Sequence, residues 1–185
     1  MKKALAALIA LALPAAALIA LALPAAALAE GASGFYVQAD AAHAKASSSL
    51  GSAKGFSPRI SAGYRINDLR FAVDYTRYKN YKQAPSTDFK LYSIGASVIY
   101  DFDTQSPVKP YFGARLSLNR ASAHLGGSDS FSKTSAGLGV LAGVSYAVTP
   151  NVDLDAGYRY NYVGKVNTVK NVRSGELSAG VRVKF

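Results

Sequence analysis

Few residues in this chain are equipped for covalent or metal chemistry. The sequence holds no cysteine and two histidines, His43 and His124, which excludes thiol catalysis, disulfide scaffolds and multi-histidine or cysteine metal centres. His124 lies near Ser122, Ser128 and Asp129, the ingredients of a Ser-His-acid hydrolase that would act on lipid A. That stretch is rich in Ser and Gly, and a loop of that composition preorganises a site poorly. The expectation is therefore no enzyme, no cofactor and no metal, with the hydrolase as a remote alternative. By the parity of its neighbours, His43 points outward near a rim, where a lone histidine is ordinary.

The charged residues are more informative. Asp40, Arg59, Arg65, Arg70, Asp74, Asp101, Arg115, Asp155, Arg159, Glu176 and Arg182 are interleaved with Gly and Ser at every second position of apolar stretches. Cations and carboxylates nearly balance in this set, which is the composition of a buried salt-bridge network. A second group is lopsided. Lys45, Lys54, Lys79, Lys82, Lys133, Lys165, Lys170 and Arg173 fall between those stretches, opposed only by Asp88 and Asp129.

The elements that must position these charges follow from alternation of period two. In Leu177-Ser-Ala-Gly-Val-Arg-Val-Lys-Phe185, the odd positions are apolar and the even ones polar or Gly. The same phase recurs in segments around Phe35–Ala39, Ile60–Tyr64, Phe71–Tyr75, Tyr92–Val98, Phe112–Leu118, Leu138–Tyr146 and Val152–Tyr158, making eight. Connections alternate between tight (Ile66–Asp68, Asp103–Lys109, Thr149–Asn151) and longer (Lys45–Gly55, Lys79–Asp88, Ala121–Lys133, Val163–Arg173). Short periplasmic turns and longer outer loops give that pattern, with apolar side chains toward lipid and polar ones toward a lumen. Aromatics near segment ends (Tyr64, Tyr75, Tyr78, Tyr100, Phe102, Tyr146, Tyr158, Tyr160, Tyr162) read as interfacial girdles. The fold class expected is all-β, an eight-stranded antiparallel transmembrane β-barrel. Eight strands leave a lumen that side chains fill, so a diffusion pore is not expected.

The first thirty residues set the compartment. Met1-Lys2-Lys3 is a basic start, an apolar run follows, and Ala27-Leu28-Ala29 is a small-x-small cleavage site ahead of Glu30. Residues 1–29 read as a signal peptide and 30–185 as the barrel. The decamer Leu8–Ala17 recurs unchanged as Leu18–Ala27, which lengthens the apolar region and leaves a retained anchor as the rival reading. Pro14 and Pro24 interrupt such a helix. Loss of Lys2 and Lys3 takes the formal charge from +10 to +8. For an exported chain that basicity does not imply a nucleic-acid partner.

The segments Gly34-Phe-Tyr-Val-Gln-Ala-Asp40, Pro58-Arg-Ile-Ser-Ala-Gly-Tyr64, Ala72-Val-Asp-Tyr75, Ile99-Tyr-Asp-Phe102, Lys109-Pro-Tyr-Phe-Gly-Ala-Arg115 and Leu154-Asp-Ala-Gly-Tyr-Arg-Tyr160 resemble the opacity-protein (Opa) family of eight-stranded outer-membrane barrels. The resemblance spans the expected mature chain and includes its interior Asp and Arg positions. It implies a surface-exposed protein that engages host molecules, as an adhesin or by recruiting complement regulators. The loops are short for that family, which weakens transfer of its receptor specificity.

With a filled lumen and a generic lipid face, the loops are the variable surface. Lys79, Lys82, Lys165, Lys170 and Arg173 are the candidate ligand-binding residues. They suit electrostatic capture of an acidic host surface or serum protein, or of a sulfated or sialylated glycan. The alternative is a structural barrel whose cations bind the lipooligosaccharide around it. Phe56, Tyr81, Phe89, Leu125 and Phe131 offer an apolar patch, and Ser47–Ser52 and Gly126–Ser128 read as mobile linkers. A monomer embedded in outer-membrane lipid is expected.

Overall fold

The computed structural model describes residues 33–48, 51–78, 88–124, 130–163 and 172–185. Eight strands run in chain order: β1 (Ser33–Ser48), β2 (Gly51–Ile66), β3 (Leu69–Tyr78), β4 (Asp88–Asp101), β5 (Val108–His124), β6 (Ser130–Thr149), β7 (Val152–Val163) and β8 (Val172–Lys184). Each pairs antiparallel with its neighbours, and β1 closes on β8 from Tyr36↔Lys184 to Ser47↔Arg173. The Phe185 N–H donates to Phe35 O at 2.9 Å, completing the seam.

Side chains are distributed inversely to those of a water-soluble sandwich. Phe35, Leu116 and Leu177 stand 68%, 63% and 64% exposed on the outer wall, whereas Arg115 and Glu176 are 2% and 0% exposed inside. Only a lipid environment makes that arrangement favourable. Spanning takes about 9–11 residues per strand; β3 has 10, while β5 and β6 have 17 and 20 and so extend beyond the bilayer.

Both described chain ends lie at one end of the barrel, with the turns at 67–68, 102–107 and 150–151. This is the periplasmic end of such a barrel. At Asn67 the backbone takes φ 53°, a left-handed conformation Asn tolerates, so that two residues join Ile66 to Leu69. At the other end the strands run further than their composition suggested. Lys45 and Gly55, expected to bound a loop, are paired strand residues, because the hairpin register continues to Ser48↔Gly51. Most of the supposed Ser47–Ser52 linker is therefore strand, leaving only 49–50 undescribed. The 1–29 leader, Lys79, Tyr81, Lys82, Leu125, Gly126–Ser128, Lys165 and Lys170 lie outside the described residues.

Candidate functional site

The lumen is built by the inward member of each alternating pair. Arg115 on β5 reaches across to Asp74 on β3 with two hydrogen bonds, Nε to Oδ1 at 2.9 Å and Nη2 to Oδ2 at 2.6 Å. Its Nη2 also donates to Ser93 Oγ at 3.1 Å. Arg59 donates from Nε to Asp40 at 2.9 Å and from Nη1 to Glu176 at 3.5 Å. Glu176, fully buried, accepts further bonds from the Tyr78 hydroxyl at 2.7 Å and Asn161 Nδ2 at 3.1 Å. Nearer the periplasm, Arg70 grips Asp101 through two 2.7 Å bonds. Arg182 holds Asp155 at 2.7 Å and donates to Gln38 at 2.9 Å. Such charge-assisted, forked pairs satisfy ions removed from water.

The structure thus brings ten of the predicted residues together in the lumen as three hydrogen-bonded groups: Asp40, Arg59, Glu176, Asp155 and Arg182, joined through Gln38; Asp74, Arg115 and Arg159; and Arg70 with Asp101. Arg159 joins its group more weakly: one 3.5 Å contact to Asp74, with Nε and Nη1 unpartnered among the described residues. Arg65 is a correction. It is only half-buried and donates to the Asn67 carbonyl at 2.6 Å, so it braces the turn instead of the lumen. Tyr78 is another. It is buried beside Glu176 and does not belong to an outer girdle, because its even position on β3 faces inward.

Other lumen residues escaped the sequence reading. Asp153 bonds Lys184 at 2.7 Å and Arg182 at 3.5 Å, and sits two residues before Asp155 on the same face, so parity alone could have found it. Tyr111 donates to Asp155 at 2.8 Å and lies under the Arg70 guanidinium, 5.0 Å from the ring centroid. Ile99 and Leu141 pack against Tyr111 as an apolar cluster. Around these groups the central cavity is about 40 Å³. That is room for a few waters at about 10–15 Å³ each and none for a solute.

The outward positions at the loop end carry the other charges. Lys45, Lys54 and Arg173 are exposed on β1, β2 and β8, and Arg77 and Arg120 are exposed on β3 and β5. Of the five loop cations singled out as candidates, Arg173 is the one within the described residues, beside Ser47. His43 is exposed and outward. His124 ends β5 opposite Ser130; Ser128 and Asp129 lie outside the described residues.

A closed eight-stranded barrel with a charged, filled lumen and an apolar outer wall defines a small outer-membrane protein. The family model "Opacity family porin protein" matches residues 62–185, and the chain belongs to that family. Opacity protein opA67 of Neisseria gonorrhoeae is 30% identical over 183 residues, covering 69% of this chain and 77% of its own. Among solved structures, neisserial surface protein A (NspA) is 92% identical with a TM-score of 0.76, covering 84% of this chain and 100% of that one. Ail of Yersinia pestis, solved with the heparin analogue sucrose octasulfate, shares the fold at 19% identity and TM-score 0.56, over 83% of this chain and 99% of its own. The protein is therefore an opacity-family barrel of the outer membrane.

Proposed function

We propose that this barrel is a non-enzymatic surface protein whose outer loops bind host factors or host cells, by adhesion or by recruiting a complement regulator. The observation that carries this reading is a lumen filled by the described side chains, with about 40 Å³ left between them. Forked Arg–carboxylate pairs and the Ile99–Tyr111–Leu141 cluster fill the interior, so selection for an external function falls on the loop end. The cationic candidates there, Lys79, Lys82, Lys165, Lys170 and Arg173, suit an acidic protein surface or an anionic glycan by complementary potential. Membership of the opacity family supports the reading, and a monomer suffices for it.

The test is direct. Intact cells expressing the protein are incubated with human serum, and retained proteins are compared with those on cells lacking the gene and on cells expressing loop-charge variants. A serum protein retained only with the intact loops supports the proposal. Identical profiles across all three strains, together with unchanged adhesion to host cells, would overturn it in favour of a structural barrel.

A further inference from the structure

Followed upward along the outer wall, most strands change from apolar to basic at a similar height. The first outward charges met are Lys45 on β1, Lys54 on β2, Arg77 on β3, Arg120 on β5 and Arg173 on β8, all exposed. Among the described side chains this collar contains no acid. The opposite edge of the apolar belt differs. Its outward positions are Ile66, Leu69, Phe102, Val108 and Val148, all exposed and uncharged. Charges near that end pair among themselves, as Lys109 with Asp103 and Lys184 with Asp153.

The collar is densest across β8, β1 and β2. Lys45 faces Lys54 directly in the register and faces Gly175 on its other side, with Arg173 one step diagonal beyond Gly175. Directly opposed like charges are destabilising, and such neighbours stand about 5 Å apart, with diagonal ones at about 7–8 Å. No described carboxylate lies within salt-bridge distance of Lys45, Lys54 or Arg173. The Tyr158 hydroxyl leans over Gly175, 2.5 Å from where a Cβ would stand, adding an uncharged donor between β7 and the cations. Below them the register aligns Ala156, Ala179, Ala41 and Pro58 across four strands, a row of short side chains in the lipid-facing wall in which Ala156 is exposed, Ala179 and Pro58 are half-buried and Ala41 is buried.

We propose that Lys45, Lys54, Arg173 and the Tyr158 hydroxyl form a phosphate-binding patch for lipid A, the phosphorylated anchor of lipooligosaccharide in the outer leaflet. A bridging phosphate relieves the Lys45–Lys54 repulsion, Arg173 supplies a forked donor, and acyl chains lie against the exposed Ala156 and the half-buried Ala179. The patch opens sideways at the upper edge of the apolar belt, at headgroup depth, instead of upward into solution. That position favours a membrane glycolipid over a soluble anion. The inference rests on the barrel's geometry; it shares Arg173 with the proposed host-binding set, while Lys45, Lys54 and Tyr158 belong to the patch alone.

The experiment uses the mature barrel refolded into phosphatidylcholine bicelles doped with bisphosphorylated lipid A, monophosphoryl lipid A or phosphatidylglycerol, with retained lipids counted by native mass spectrometry. Wild type retains bisphosphorylated lipid A over phosphatidylglycerol. The triple variant Lys45→Gln/Lys54→Gln/Arg173→Gln loses at least about tenfold, given the strength of cation attraction to an anionic membrane surface. The charge-keeping Lys45→Arg/Lys54→Arg variant retains it, and Lys54→Gln alone provides a milder loss if the triple variant refolds poorly by circular dichroism. Equal retention by wild type and both Gln variants, equal retention of phosphatidylglycerol, or displacement by inorganic phosphate overturns the assignment.

Discussion

Arg115 and Asp74 are joined by two hydrogen bonds of 2.9 and 2.6 Å across the centre of the lumen, with both side chains almost wholly buried. Neither charge has water to fall back on, so the cost of breaking the pair exceeds the value of making it. Asp74→Asn leaves Arg115 uncompensated and destabilises the barrel by about 3–5 kcal/mol, whereas replacing both partners together by Met and Leu costs far less. Arg159, with two donors already unpartnered, tolerates Arg159→Met at under about 1.5 kcal/mol. Reversible guanidinium unfolding in lipid vesicles ranks the three. Equal losses for Asp74→Asn and Arg159→Met would contradict this account.

Tyr111 is threaded into a slot that two glycines create. Gly143 and Gly157 face each other across β6 and β7, and a Cβ on Gly143 would stand 2.5 Å from the Tyr111 hydroxyl. Gly143→Ala therefore displaces the ring and its 2.8 Å bond to Asp155. The expected loss is about 1–3 kcal/mol, the usual cost of overpacking. Adding Tyr111→Phe to Gly143→Ala should cost less than the separate losses combined, as a double-mutant cycle by denaturant unfolding will show.

At the periplasmic turn, Lys109 lies 3.3 Å from Asp103 and holds its carboxyl below the usual carboxylate range. A depressed value in the folded state contributes stability that is present above the unfolded value, about 3.9, and is lost as pH falls through the folded one. Lys109→Gln should raise the Asp103 midpoint in a carbon-detected NMR titration. Because Asp103 is exposed, added salt should raise it in wild type too. A midpoint indifferent to both changes would remove Lys109 as the cause.

For host binding, the loop cations predict kinetics more than affinity. With barrels immobilised in lipid and serum passed over them, Lys79→Gln/Lys82→Gln and Lys165→Gln/Lys170→Gln variants should capture more slowly at low salt. They should also lose salt sensitivity, since a Debye length of about 10 Å at 0.1 M screens steering. Overlapping rates for wild type and variants across a salt series would dismiss electrostatic capture.

Parity makes much of this fold legible in the sequence. Odd–even alternation in Leu177–Phe185 or Val152–Tyr158 assigns each side chain to lipid or lumen, since a one-residue slip would invert every position. What failed were residues whose chemistry conflicts with their face. Ile99 and Leu141 are apolar yet inward, and Tyr78 is an end-of-strand aromatic yet inward, because the lumen needs apolar and phenolic filler where charges would go unpaired. Arg77 and Arg120 were visible as cations, but their height on the outer wall is a property of register between strands. Strand ends beyond the bilayer look like loops in sequence because Ser and Lys there lack the apolar partner face that marks a spanning segment.

Pairing of β1 with β8 joins residues of the first and last strands, such as Val37 with Val183. Until Phe185 has emerged, the sheet has two open edges and a greasy exterior, the combination that recruits other chains into aggregates. Closure is also entropically late, since long-range pairing must wait for the intervening hairpins. Biogenesis, more than the finished barrel, is then the vulnerable period of this protein's life, and the final strand acts as the latch that ends it.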